Sequence, residues 1–372
     1  MHCAAGWGVW WDQLAAAGTL RSAQCQTAGT RIWCAATVTL TSLCHRAKPL
    51  LSQHEENSSR PFSAELVHFD TTGPVAYPHF GNWRYFTTFP CTDKSSAVCV
   101  AFKTGRDSPV VLGMRSKDGL HFKHPFAVMA DGPGQANMVH NLAVSPHANG
   151  FMLVGGLGDI WLARGERWRS STNRNTSLAK QESPVARAWS SPRLIINGYH
   201  PGCVEKRVEP WLVAKGGKGS RCEYDGRLAL VSWPERGRLL LFARANPALK
   251  GQRFVQVSSS KDDGSTWSSF ELIKLQGYDH QTGNVYFFAA QVNPVRPETL
   301  VAFFPLEHTF SACICMATSR DGILWSVIQP VLPCSVAGER PTDHPMFGLA
   351  KMGKQMHLCK ALGIELARSP SP

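Results

Sequence analysis

The chain has 372 residues, 43% of them hydrophobic and only 18% charged, a composition that suits a globular protein with a sizeable core and excludes an intrinsically disordered one. No apolar run approaches the roughly 18 residues that a membrane-crossing helix needs. The net charge of +12 would draw an acidic partner, but Lys and Arg are scattered and no nucleic-acid-binding signature accompanies them, so no nucleic acid is expected as a partner.

In chain order, residues 1–60 are poorly patterned and read as an irregular N-terminal extension to a single domain over 61–372. Met1–Leu20 lacks a basic leader and a clean apolar stretch and contains Asp12, so a signal peptide is not expected. From about Leu66 onward the chain repeats one internal grammar: a strand led by polar residues, a turn into an apolar strand, a third strand, and an aromatic beyond it. The units run from about Leu66 to Met129, Asn137 to Ile196, Arg221 to Ile273 and Asn284 to Leu332, with a fifth beginning at Asp343. Closing that last unit calls for a strand from elsewhere, which the Thr and Val run in Arg31–Leu43 can supply. The polar stretch Arg169–Arg187 reads as an insertion.

Three Ser-x-Asp turns punctuate these units. The fullest is Ser260-Lys261-Asp262-Asp263-Gly264-Ser265-Thr266-Trp267; Ser116-Lys117-Asp118-Gly119 and Ser319-Arg320-Asp321-Gly322 are shorter, each followed by an aromatic. Asp supplies a side-chain acceptor to a tight turn, Gly accepts positive φ, and the Trp then opens the next strand as a buried anchor. These turns are read as structural. Repetition at about 50–70 residues is what propeller blades produce, because one four-stranded sheet cannot bury both faces alone. The expected fold is therefore an all-β propeller of five blades, with six as the alternative.

Twelve Cys include no CxxC pair, so neither a metal site nor a cofactor is expected. Propellers bind ligands where their innermost strands begin. The residues leading those strands are Asp70, His140 and Asn141, Glu223 and Asp225, Asn284, and Asp343 with His344. Three carboxylates round one axis suit glycoside hydrolysis, in which one acid protonates the leaving oxygen while another stays ionised.

The full turn matches the pattern called the Asp box. Together with Cys222–Leu228, Leu240–Arg244 and Arg253-Phe254, it resembles the middle blades of the sialidase (neuraminidase) superfamily. That resemblance implies that Glu223 activates a nucleophile and that Arg244 grips a sugar carboxylate through bidentate hydrogen bonds. The chain has no Arg-Ile-Pro tripeptide, however, and its last Tyr is Tyr286. The unit count also resembles the five-bladed glycosidases of the invertase, arabinanase and mannoside-phosphorylase type. This implies Asp70 as nucleophile or base, Glu223 as acid and Asp343 as a tuning charge. Both resemblances imply a glycan substrate, and the chain is expected to be a monomeric glycosidase acting on a terminal sugar, with Arg244 and the strand-leading His140, Asn141, Asp225 and Asn284 binding the glycan. The alternative is a glycan- or protein-binding propeller that has lost the catalytic set.

Overall fold

The structure is a computed structural model. It describes residues 34–38, 69–74, 84–90, 98–103, 110–116, 126–130, 138, 140–147, 150–166, 190–206, 221–248, 253–278, 284–285, 287–294, 296–308, 311–332, 344–345, 350–352 and 355–361, all within the unit Trp33–Pro372.

The strands are β1 (Cys34–Val38), β2 (Phe69–Pro74), β3 (Arg84–Pro90), β4 (Val98–Lys103), β5 (Val110–Ser116), β6 (Phe126–Ala130), β7 (Ala143–His147), β8 (Gly150–Gly156), β9 (Ile160–Glu166), β10 (Arg193–Ile196), β11 (Ala229–Trp233) and β12 (Arg238–Ala245). There follow β13 (Phe254–Ser260), β14 (Glu271–Leu272), β15 (Lys274–Gln276), β16 (Asn284–Val285), β17 (Ala289–Val292), β18 (Leu300–His308), β19 (Ser311–Ser319), β20 (Leu324–Val327), β21 (Gln329–Leu332), β22 (His344–Pro345), β23 (Ala350–Met352) and β24 (Gln355–Ala361).

These strands form five sheets among the described residues. β3–β6 (sheet I), β7–β10 (sheet II) and β11–β14 (sheet III) are four-stranded antiparallel meanders in sequence order. Sheet IV runs β15-β20-β19-β18-β16, with β17 also on β18 and β21 on β19; sheet V runs β2-β1-β24-β22, with β23 also on β24. Neighbouring sheets touch in cyclic order: β3 meets β7, β7 meets β11, β11 meets β17, β18 meets β22, and β23 returns to β3 and β4. Sheets joined in a closed ring make a β-propeller, which leaves few exposed edges. Cys34–Val38, inside the stretch read as an extension, lies in sheet V and pairs residue for residue with β24 from Cys34↔Lys360 to Val38↔Met356.

The sequence of β12, Arg-Leu-Leu-Leu-Phe-Ala-Arg-Ala, explains why the sheets stack. Side chains alternate across a strand. Leu239, Leu241 and Ala243 pack with Met152, Ile160 and Leu162 of sheet II, while Leu240 and Phe242 pack with Leu300, Ala302 and Phe304 of sheet IV. An unbroken apolar run is what a strand buried on both faces requires. Phe242 lies 5.6 Å from the Phe288 ring and 5.9 Å from Trp325; truncating such a core aromatic to Ala costs about 3–5 kcal/mol.

The Ser-x-Asp turns join sheet to sheet. In the turn after β13, the Ser260 hydroxyl accepts the Gly264 N–H at 2.7 Å and donates to Asp262 Oδ1 at 2.8 Å. Asp262 in turn accepts the Thr266 N–H at 2.8 Å and the Thr266 hydroxyl at 2.6 Å. Gly264 has φ of 75°, as the turn demands. The turn after β19 repeats the plan, with Asp321 Oδ1 accepting the N–H groups of Ile323 and Leu324, each at 2.8 Å. An Arg from the preceding sheet reaches each turn: Arg164 of β9 donates to the Asp263 carbonyl, and Arg238 of β12 to the Asp321 carbonyl. The expected burial of the two turn tryptophans needs one correction. Both indole N–H groups turn back to the turn glycine's carbonyl, at 3.1 Å for Trp267 and 3.0 Å for Trp325, but Trp325 is buried whereas the Trp267 ring covers the rim of the sheet II–III core and is only half-buried. The turn at Asp118 and the stretch 169–187 lie outside the described residues.

Hydrogen bonds from the Thr266 hydroxyl and N–H, then from the Ser260 hydroxyl, hold the Asp262 carboxyl down at about 2, against about 3.9 when unperturbed. A depressed carboxyl contributes stability that is present above about pH 4 and is lost as pH falls through about 2. In urea denaturation, the gap between wild type and Asp262→Asn is expected to be largest above pH 5 and to narrow steadily towards pH 2. A gap constant across that range would assign the turn's contribution to shape rather than charge.

Candidate functional site

The peptide 221–228 leads into β11, an innermost strand, and is fixed from several sides. The Arg221 guanidinium lies 2.7 Å from Asp159 Oδ2 in the β8–β9 turn. The Tyr224 N–H donates to the Leu157 carbonyl at 2.7 Å, and the Asn141 amide reaches both the Tyr224 and the Gly156 carbonyls, at 3.0 and 2.9 Å. Burial pushes the Tyr224 phenol well above its ordinary range; its hydroxyl donates to the Asn197 carbonyl at 3.2 Å. The disulfide Cys203–Cys222 joins this peptide to the segment holding Glu205.

A polar network sits behind the peptide. Glu205 is buried, and its Oε2 accepts the Asn246 amide at 2.6 Å and the Glu223 N–H at 3.2 Å. The same Asn246 amide is 3.5 Å from the Glu223 carbonyl, so one side chain spans both acidic residues. Asn246 Oδ1 accepts Arg244 Nε at 2.9 Å. Arg244 also donates to the Asp225 carbonyl and lies 3.4 Å from Asp225 Oδ2; its side chain is 2% exposed and that of Asp225 38%. Gln256, on β13, closes the network by donating to the Arg244 carbonyl at 2.8 Å and accepting the Val204 N–H at 3.0 Å.

Strand geometry accounts for this assembly. Arg244 and Asn246 are two residues apart at the end of β12, so they share a face, and Gln256 is opposite Ala243 on the neighbouring strand. A backbone bridge between Glu205 and Asn246 brings the Cys203 segment alongside. The result is an ion pair with one buried partner, whose guanidinium, carboxylate and amide groups satisfy one another. Chemically it fixes the backbone of Glu223 and Asp225.

Of the residues expected at the site, Glu223, Asp225 and Arg244 are brought together by this network. Asn141 is fully buried and ties sheet II to the 221–228 peptide, and the His140 carbonyl accepts the Gly156 N–H at 2.7 Å. Asn284 lies on the adjoining edge, where its Oδ1 accepts the Arg253 N–H at 2.8 Å. Asp70 is not at the head of an innermost strand. Asp70 is on β2 and pairs with Thr37 of β1; β2 lies on the side of sheet V opposite β22, because β1 inserts between β2 and β24. Asp343 lies outside the described residues. Glu205, Asn246 and Gln256 were missing from the sequence reading. Signals for two of them exist in retrospect: an acid follows closely on both Cys203 and Cys222, and Asn246 repeats the strand period after Arg244.

Among the described residues, no group of three or more His, Cys, Asp and Glu could hold a metal ion, and no helix is long and apolar enough to cross a membrane. No protein-family model and no curated protein matches the chain. Solved structures similar to it include a protein of unknown function from Dyadobacter fermentans (14% identity, 73% of this chain and 72% of that one, TM-score 0.42). Others are the GH93 α-L-arabinofuranosidase of Fusarium graminearum with arabinobiose (11%, 68% and 68%, 0.39) and an exo-β-1,3-galactanase from Phanerochaete chrysosporium (11%, 65% and 48%, 0.38). The matched region spans about half of the galactanase. Several of these neighbours are thus glycoside hydrolases; the ring of sheets described above is what identifies this chain as a propeller.

Asn246→Leu removes a donor to Glu205 and an acceptor from Arg244 at a buried position. It is expected to destabilise the fold by about 2–3 kcal/mol, whereas Asp225→Asn, half in solvent, is expected to cost under about 1 kcal/mol. Chemical denaturation of both variants checks the ranking.

Proposed function

We propose that this propeller processes a glycan, as a glycoside hydrolase acting on a terminal sugar at the mouth where β11 begins. One observation carries the reading: the Glu223 peptide is held at both its N–H and its C=O by the buried Glu205–Asn246 pair. Holding a carboxylate-bearing backbone that firmly costs burial of polar groups, and a site that must aim an acid or base at a scissile bond makes use of it. Glu223 is assigned as the general acid or base, Asp225 as its charged neighbour, and Glu205 with Asn246 as positioning residues. The propeller fold supports the substrate class, since glycoside hydrolases stand among its structural neighbours.

In a sialidase-like version, Arg244 would grip a sugar carboxylate. The 2% exposure of its side chain, already engaged with Asp225 and Asn246, favours a neutral sugar instead. The same observation favours, as a second reading, a binding module in which the network is only a scaffold for the mouth.

Glu223→Gln keeps size and hydrogen bonding but cannot transfer a proton. It is expected to lower hydrolysis by about 100- to 10,000-fold with an unchanged melting temperature. A panel of fluorogenic arabinosides, galactosides, fructosides, mannosides and sialosides supplies the substrates. If wild type cleaves none but binds a glycan array saturably, the binding module stands; silence in both assays removes the glycan reading.

A further inference from the structure

At the other end of β11, three side chains from three different elements line up. Ser232 Oγ on β11 is 3.0 Å from Nδ1 of His147, the last residue of β7. The other ring nitrogen, Nε2, is 2.8 Å from Asp263 Oδ1 in the turn after β13. An ionised carboxylate only accepts, so Asp263 fixes the imidazole proton on Nε2 and leaves the Nδ1 lone pair facing the serine hydroxyl. Asp263 is itself held in place: Arg164 NH1 is 3.2 Å from its Oδ2 and Arg164 NH2 is 2.5 Å from its carbonyl oxygen. It also adopts φ of 61°, a left-handed conformation uncommon outside glycine. The Ser232 backbone is fixed separately by its N–H donating to Ser145 Oγ at 3.3 Å.

The line of groups is open to solvent. Ser232 is half-buried, while the side chains of His147 and Asp263 are 17% and 56% exposed. A hydroxyl hydrogen-bonded to an imidazole that a carboxylate orients is the arrangement that makes serine a nucleophile, whatever fold carries it. Geometry and roles define such a relay rather than order in the chain.

We propose that Ser232 is a nucleophile that accepts the acyl group of a small ester, with His147 as its base and Asp263 as the positioning residue. As Oγ bonds to the ester carbonyl carbon, its proton passes to His147 Nδ1 and the carbonyl electron pair moves to oxygen. Collapse reforms the carbonyl, breaks the bond to the alcohol and returns the proton to that leaving oxygen. Water repeats the sequence on the acyl-serine and releases the acid. This activity is independent of Glu223, which lies at the opposite end of the strand.

The test uses a fluorophosphonate probe on the full chain, where Oγ bonds to phosphorus and fluoride leaves. Mass spectrometry is expected to find the adduct on Ser232, with none in Ser232→Ala. The labelling rate is expected to fall at least 100-fold in both His147→Ala and His147→Gln, and p-nitrophenyl acetate turnover is expected to fall with it. Circular dichroism melting confirms that the variants are folded. A folded wild type that is not labelled at Ser232, or labelling that persists at the wild-type rate in a folded His147 variant, would overturn the proposal and leave the three residues as a structural tie.

Discussion

Everything in this molecule depends on sheets that are apolar on both faces. β12 alternates its side chains between two different hydrophobic clusters, one shared with sheet II and the other with sheet IV. Such a sheet has no solvent face and is unstable by itself, so each needs a neighbour on either side; the economical way to give every sheet two neighbours is a closed ring. The hydrophobic effect sets this requirement without specifying alignment. Alignment comes from directional groups at the sheet boundaries, where Arg164 and Arg238 each reach from one sheet to the turn of the next.

The same division separates the two ends of the innermost strands. At the leading end of β11 the polar groups are sealed inside, and Glu205, Asn246 and Arg244 satisfy one another out of water, where an unmade hydrogen bond is costly. At the trailing end the polar groups are half in solvent and belong to three separate elements. A sealed network holds one geometry and sets the position of whatever it carries outward. An open one tolerates movement and can exchange partners with a ligand.

What could be read in the sequence was local. The Ser-x-Asp turns identify themselves because the hydrogen bonds that close them fall within five residues, and the Leu-Leu-Leu-Phe run of β12 announces burial on two faces. Glu223, Asp225 and Arg244 stand out in the sequence because polar residues leading or ending an apolar strand mark where the strand ends. Glu205 was not, since its partner Asn246 is 41 positions away and only the bridge between their backbones brings them together. Asp70 went astray for a related reason. Its alternation says strand, but nothing in Phe69–Pro74 says that β1 will be its partner. Pairing across such separations is decided by the closure of the whole ring rather than by any one segment.

That closure has a consequence for synthesis. β1 pairs with β24 on one side and β2 on the other, so sheet V unites strands from the two extremes of the described chain. At a translation rate of about 5–20 residues per second, β1 and β2 leave the ribosome roughly 15–60 seconds before β24 exists. Throughout that interval β1 offers an unpaired strand edge, the kind of surface that recruits foreign strands. Sheets I–IV can form in order as they emerge, since each is built from consecutive strands. The last step is a different event, a long-range capture in which the hairpin of β23 and β24 must find the waiting edge of β1.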